Sequence, residues 1–315
     1  MAEEKELMWI SGFWRRIGAF LIDSIILGLV GLGLGLVLEE LFVEIGVWGR
    51  FIGFLIALIY FGVMNSSIAN GQTLGKKALK LRVVNSDNLS ISVIRSFGRY
   101  SIIGIPFFLN GAQFSIDTIS SFWLYVLSLV IFGGLFSIAY LYLFNRVTRQ
   151  SLHDLAFGTY VVNIGIDSQN VGKIWKPHLM VVGLLFLTAA IVPIFTSNLA
   201  RQEPFAELLK SIENLQANPS VNHATVSFGK SSVSTVKTGT SETSFVSAQV
   251  FLQENQTSNA ELARELAESL MKSYRQALEK DLIVIVLVYG YDIGIASKWN
   301  SHSHRFNPSE LSSNE

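Results

Sequence analysis

The chain of 315 residues is half apolar and only 15% charged, with a mean hydropathy of +0.41, which excludes a soluble domain as its main body and indicates an integral membrane protein. Its 24 basic and 24 acidic residues cancel, so no global field recruits nucleic acid. Cysteine is absent, which excludes disulfides, thiolate metal sites and a Cys nucleophile.

The first predicted element opens at Gly12-Phe13-Trp14-Arg15-Arg16-Ile17-Gly18-Ala19-Phe20-Leu21-Ile22-Asp23 and continues through the apolar run Ser24 to Leu38. It reads as a membrane-length helix with Arg16 at its mouth and Asp23 inside it. A carboxylate at the centre of a spanning helix costs about 2.5–3.5 kcal/mol, so Asp23 needs a partner, a wet cavity or a function. Arg16 and Asp23 lie seven residues apart, roughly 10 Å along a straight helix, so each must find its partners elsewhere. The run is not a cleavable signal, because Met1 to Glu6 is acid-rich, Asp23 interrupts the apolar stretch and no small-residue cleavage site follows. Arg15-Arg16 reads as a positive cytoplasmic flank rather than a twin-Arg export signal. Gly31 and Gly35 have the small-xxx-small spacing of helix packing, and no strand precedes them to make a nucleotide loop.

Four more hydrophobic segments follow: Phe51 to Ala69, Ser101 to Phe114, Phe122 to Phe144, and Leu179 to Ser197. The segment at 101–114 is short and carries Gly104 and Pro106; it either starts earlier, near Ile91, and kinks, or is re-entrant. Lys76, Lys77, Lys80, Arg82, Arg95 and Arg99 lie in one connection, and Arg146, Arg149, Lys173 and Lys176 in another. The remaining loops hold mainly Glu39, Glu40, Glu44 and Asp117. This bias predicts a cytoplasmic N-terminus, two cytoplasmic basic loops and five crossings that deliver the C-terminus outside.

The two basic loops resemble each other. Gln72-Thr73-Leu74 and Gln150-Ser151-Leu152 begin matching runs that end in Val83-Val84-Asn85 and Val161-Val162-Asn163, all at an offset of 78 residues. A helix pair followed by such a loop, used twice, predicts a degenerate parallel repeat. At the same offset Lys76 takes the place of Asp154, so two facing halves would form a Lys76 to Asp154 ion pair.

Beyond Ser197 the composition becomes soluble. Pro204 to Leu215 predicts an amphipathic helix, 224–236 and 244–253 two strands, Ser258 to Lys280 a longer helix, and Leu282 to Tyr289 a central strand covered on both faces. The fold class is therefore a mainly α membrane bundle of about five transmembrane helices followed by a small extracytoplasmic α+β domain. The boundaries are 8–165 for four membrane segments, 172–198 for the fifth helix, 199–299 for the outer domain and 300–315 for a disordered tail. His223, His302 and His304 stand apart, and neither a catalytic set nor a metal cluster is visible.

Gly12-Phe13-Trp14, Arg16, Ala19 and Ile22-Asp23, then Gly71-Gln72-Thr73-Leu74-Gly75-Lys76, then Arg149-Gln150-Ser151-Leu152-His153-Asp154 and Gly158-Thr159-Tyr160-Val161-Val162 resemble the RDD family of membrane proteins. That family is named for one arginine and two aspartates, and Arg16, Asp23 and Asp154 fall at those places. The resemblance covers about half of the chain and implies a bacterial-type membrane domain, with sodium/proton exchange proposed for some members. The Gly expected after Val83-Val84 is replaced by Asn85-Ser86-Asp87-Asn88, which also suits a turn.

Two readings stand at this point. One is a non-enzymatic scaffold or accessory protein of the inner membrane, without cofactor, in contact with the lipid bilayer, with a second copy of itself and with an envelope protein through residues 199–299. The other is a cation/proton exchanger using Asp23 with Arg16 and Asp154. The partners of Asp23 decide between a lock and a proton site.

Overall fold

The computed structural model describes residues 8–112, 122–235 and 239–312. The Asp117 loop, the end of the segment expected at 101–114 and position 237 of the expected hairpin turn lie outside them. The described residues divide into two compact units, one drawn from Met1–Val37, Val47–Pro193 and Ile293–Ala296, the other from Leu38–Gly46, Ile194–Asp292 and Ser297–Glu315.

The first unit begins with α1, Phe13–Ile45, whose backbone leaves helical geometry at Leu38. A short 3-10 turn leads into α2, Gly49–Met64. The basic loop folds as a short helix, α3 (Leu74–Ala78), and a strand, β1 (Leu81–Val84). Helix α4, Val93–Leu109, starts where the Ser92 side chain accepts from the Arg95 N–H, satisfying an otherwise orphaned donor. It takes the earlier of the two starts considered for this segment and carries Pro106 inside it. Helix α5, Trp123–Phe144, contains a π-turn at Leu129–Gly133. A second loop module, α6 (Leu152–Phe157) and β2 (Tyr160–Asn163), precedes α7, Lys176–Ala200.

By length and apolarity, three stretches among the described residues are able to cross a membrane: Phe13–Met64, Trp123–Phe144 and Lys176–Ala200. Glycines permit close helix contact at two places. A Cβ on Gly62 would fall 2.5 Å from the Phe97 ring, and one on Gly133 2.7 Å from the Phe186 ring. At Gly31 the neighbours are the Ala296 Cβ, 2.7 Å away, and the Ile295 side chain, so the helix-packing expectation is corrected there: a turn occupies the space left by the missing side chain.

The two loop modules are the same structure made twice. Strands β1 and β2 pair antiparallel, with Val83 opposite Val161, its own equivalent at the 78-residue offset, so the pair has local two-fold symmetry. Gln72 Nε2 donates to the Leu81 carbonyl and Gln150 Nε2 to the Thr159 carbonyl, each at 2.9 Å. Left-handed backbone recurs at Gly71 and Arg149, and again at Lys80 and Gly158, which are equivalent pairs.

The second unit is a four-stranded sheet in the order β3-β4-β5-β6, built from Val221–Thr235, Gly239–Leu252, Leu282–Asp292 and Ser297–Phe306. Helices α8 (Phe205–Gln216) and α9 (Ala260–Ser273) supply its cover, and α9 connects the parallel pair β4 and β5. Leu262, Leu266, Leu270 and Tyr274 pack with Val246, Ile283, Ile285 and Leu287 in one core.

Two expectations need correction here. Strand β5 is central, but its buried and half-buried residues largely alternate, as in a sheet covered on one face rather than two. Residues 300–306 belong to strand β6, not to a disordered tail, and Pro308–Ser312 is a short helix, α10. An edge strand with exposed side chains has no hydrophobic alternation, so only its backbone pairing with β5 reveals it.

Candidate functional site

Both loop modules of the first unit carry a carboxylate at the start of their short helix, but obtain it differently. In the second module Asp154 is the third residue of α6 and forms a capping box with Ser151. In the first module that position is Lys76, and the carboxylate comes from α1 as Asp23. Asp23 is fully buried. It accepts from Thr73 Oγ1 at 2.6 Å, from the Gly75 N–H at 2.8 Å and from Tyr60 Oη at 2.7 Å. Thr73 is also the N-cap of α3, so Asp23 joins α1, α2 and α3 at a place where backbone donors would otherwise be orphaned. Gly75 allows the approach, because a Cβ there would lie 2.1 Å from the Ala19 carbonyl oxygen.

Asp154 is also fully buried and has a different set of partners. Arg99, on α4, donates through Nη2 at 2.8 Å and Nε at 3.1 Å to one carboxylate oxygen. Thr159 Oγ1 donates to the same oxygen at 2.8 Å. Burial alone would raise the Asp154 carboxyl, but the guanidinium of Arg99 and, behind it, that of Arg16 outweigh burial and hold it below the usual carboxylate range. Arg16 is itself buried, with Nη1 3.7 Å from Asp154 Oδ2. Its hydrogen bonds go to the Arg149 carbonyl and, at 3.1 Å, to the Val161 carbonyl. Thus Arg16 ties α1 to the second module while Asp23 ties it to the first.

The expected Lys76 to Asp154 ion pair does not form. Arg99 occupies the position beside Asp154, and Lys76 Nζ donates instead to Asn65 Oδ1 at 2.8 Å. Burial and the nearby Arg99 charge push the Lys76 amine down to about 7, against the opposing pull of Asp23 and Asp154. His153 is held near 3, mainly by burial, and is therefore neutral at physiological pH. Of the signature residues, Arg16 and Asp154 lie together, whereas Asp23 sits apart within its own module. Arg99, Tyr60, Thr73 and Thr159 complete these networks and were not anticipated from sequence. Arg99, one of the charges of the basic connection, lies inside α4, which starts at the Ser92 cap.

No cluster of His, Asp and Glu that could hold a metal ion occurs among the described residues. The model of the RDD family matches residues 10–158, which contain all three signature charges. The uncharacterized protein YxaI of Bacillus subtilis (strain 168) is 31% identical over 124 residues, covering 32% of this chain and 82% of that protein. No solved structure matches the chain.

Proposed function

Since the chain belongs to the RDD family, we propose that it is a non-enzymatic scaffold of the bacterial inner membrane, with the signature charges serving to lock two loop modules beneath a helical bundle. In this reading the chain crosses the membrane five times, keeps its N-terminus in the cytoplasm and presents the α+β domain outside as a binding module. The observation that supports it is the spending of each signature charge on fixed groups of the chain: Asp23 on three donors, Asp154 on Arg99 and Thr159, Arg16 on two carbonyls. Buried groups bound in this way specify packing.

The test is capture in cells through photoreactive residues placed on the exposed strand β6. A specific partner should be trapped by the full chain and lost when the chain ends at residue 198. Capture that survives the truncation would move binding to the helices.

One observation favours the second reading, cation/proton exchange. Asp23 accepts only from neutral donors, so no counter-charge is bonded to it among the described residues. Sodium-driven proton movement in vesicles carrying the wild type and Asp23→Asn separates the two. A wild-type signal that Asp23→Asn abolishes would establish exchange, whereas background signals from both would remove it.

A further inference from the structure

Two cavities meet at Arg16 in the first unit. One, of about 370 Å³, is lined by three arginines, Arg16, Arg146 and Arg149, with no carboxylate among its lining residues. The other, of about 640 Å³, is lined mainly by apolar side chains of the bundle, including Phe20, Ile103, Phe107 and Leu135, with the Asp154–Arg99 pair and Lys76 at its polar end. Phe13, Arg16, Tyr142 and Leu143 line both, so the cationic space and the apolar space are neighbours with a shared wall.

The arginines have donors to offer. Arg16 Nε is buried without a hydrogen-bond partner. Arg149 uses Nη1 on the Ile10 carbonyl, and Arg146 is exposed. Arg146 and Arg149 bring two guanidinium groups to a space with no carboxylate in its lining and match a phosphate, which arginine recognises through paired donors, while Arg16, 3.7 Å from Asp154 on the far side of the shared wall, adds its unused Nε. Trp14, 80% exposed beside these arginines, has the amphipathic ring that settles at a membrane–water interface. A free phosphate would leave the larger apolar space without an occupant, whereas an acyl chain attached to the phosphate fills it.

We propose that the paired cavities bind one anionic phospholipid of the cytoplasmic leaflet, with its phosphate among Arg16, Arg146 and Arg149 and an acyl chain along Phe20, Ile103 and Leu135. The proposal rests on the membrane reading of the chain and is independent of the choice between scaffold and exchanger. Zwitterionic lipids offer the same chains but a compensated headgroup, so the arginines select by charge.

The test uses the full chain extracted in detergent, with native mass spectrometry after addition of phosphatidylglycerol or phosphatidylcholine of identical acyl chains, and with glycerol phosphate and inorganic phosphate as competitors. The wild type should retain a single phosphatidylglycerol in preference to phosphatidylcholine. Arg146→Gln, whose side chain is exposed, should weaken that retention about fivefold while leaving thermal stability unchanged. Ala139→Trp, on the wall of the apolar space, should weaken retention without altering the arginines. Equal retention of the two lipids, or retention unaffected by both substitutions, would overturn the proposal. Displacement of the lipid by inorganic phosphate at matched concentration would assign the arginines to a soluble anion and overturn the lipid as occupant.

Discussion

Asp154 is held by charge and Asp23 by neutral donors, and the two respond differently to the same chemical change. Asp154→Asn leaves Arg99 buried without its counter-charge, and the expected loss is about 3–5 kcal/mol of stability, measured by denaturation in detergent. Replacing both partners by apolar residues, as Arg99→Met with Asp154→Leu, should recover only part of that loss, since the Arg99 charge goes but Arg16 stays buried without its counter-charge. Asp23→Asn keeps an acceptor of similar size and should cost less, about 1–3 kcal/mol. Lys76 supplies a pH dependence of known sign. Its amine is lowered from 10.5 to about 7 in the folded chain, so the unfolded chain binds the proton more tightly. Stability should therefore rise as pH goes from about 7 to 10.5 and be insensitive to this group at lower pH. Lys76→Met should raise the melting temperature at pH 7 and flatten the rise; an unchanged profile would contradict the assignment.

The glycines of the first loop module have separate physical reasons. Gly71 adopts a left-handed conformation against strand β1, where a Cβ would lie 2.3 Å from the Val83 carbonyl oxygen. Gly75 lets α3 touch α1 at Ala19, which is what brings its N–H to Asp23. Gly75→Ala must separate these two helices and is expected to cost about 1–3 kcal/mol, with thermal denaturation as the measure. The equivalent residue of the second module is His153, next to Asp154, which already lies on its own helix. The repeat was readable from a 78-residue offset. Its geometric meaning, two modules paired through Val83 and Val161, was not, because strand pairing joins residues that the sequence separates widely.

The arrangement of the chain in the membrane is open to a direct measurement, because the protein has no cysteine of its own. A single cysteine at position 254 should react with a membrane-impermeant maleimide in intact spheroplasts, and one at position 146 only after lysis. The reverse pattern would invert the proposed orientation, and labelling of both before lysis would rule out five crossings. In the C-terminal unit, helix α9 and strands β3 and β4 were legible because apolar side chains recur at helical or strand spacing over a buried core. Strand β6 was not legible, since its side chains are largely exposed and its place follows from backbone pairing.

Apolar runs, basic loops, the internal repeat and the three signature charges were legible along the chain, because each depends on local composition or on spacing. The partners of those charges were decided only in three dimensions. Arg99 displaced Lys76 beside Asp154, and neutral donors surrounded Asp23, because burial makes each charge take the donor that the packed helices bring within bonding distance.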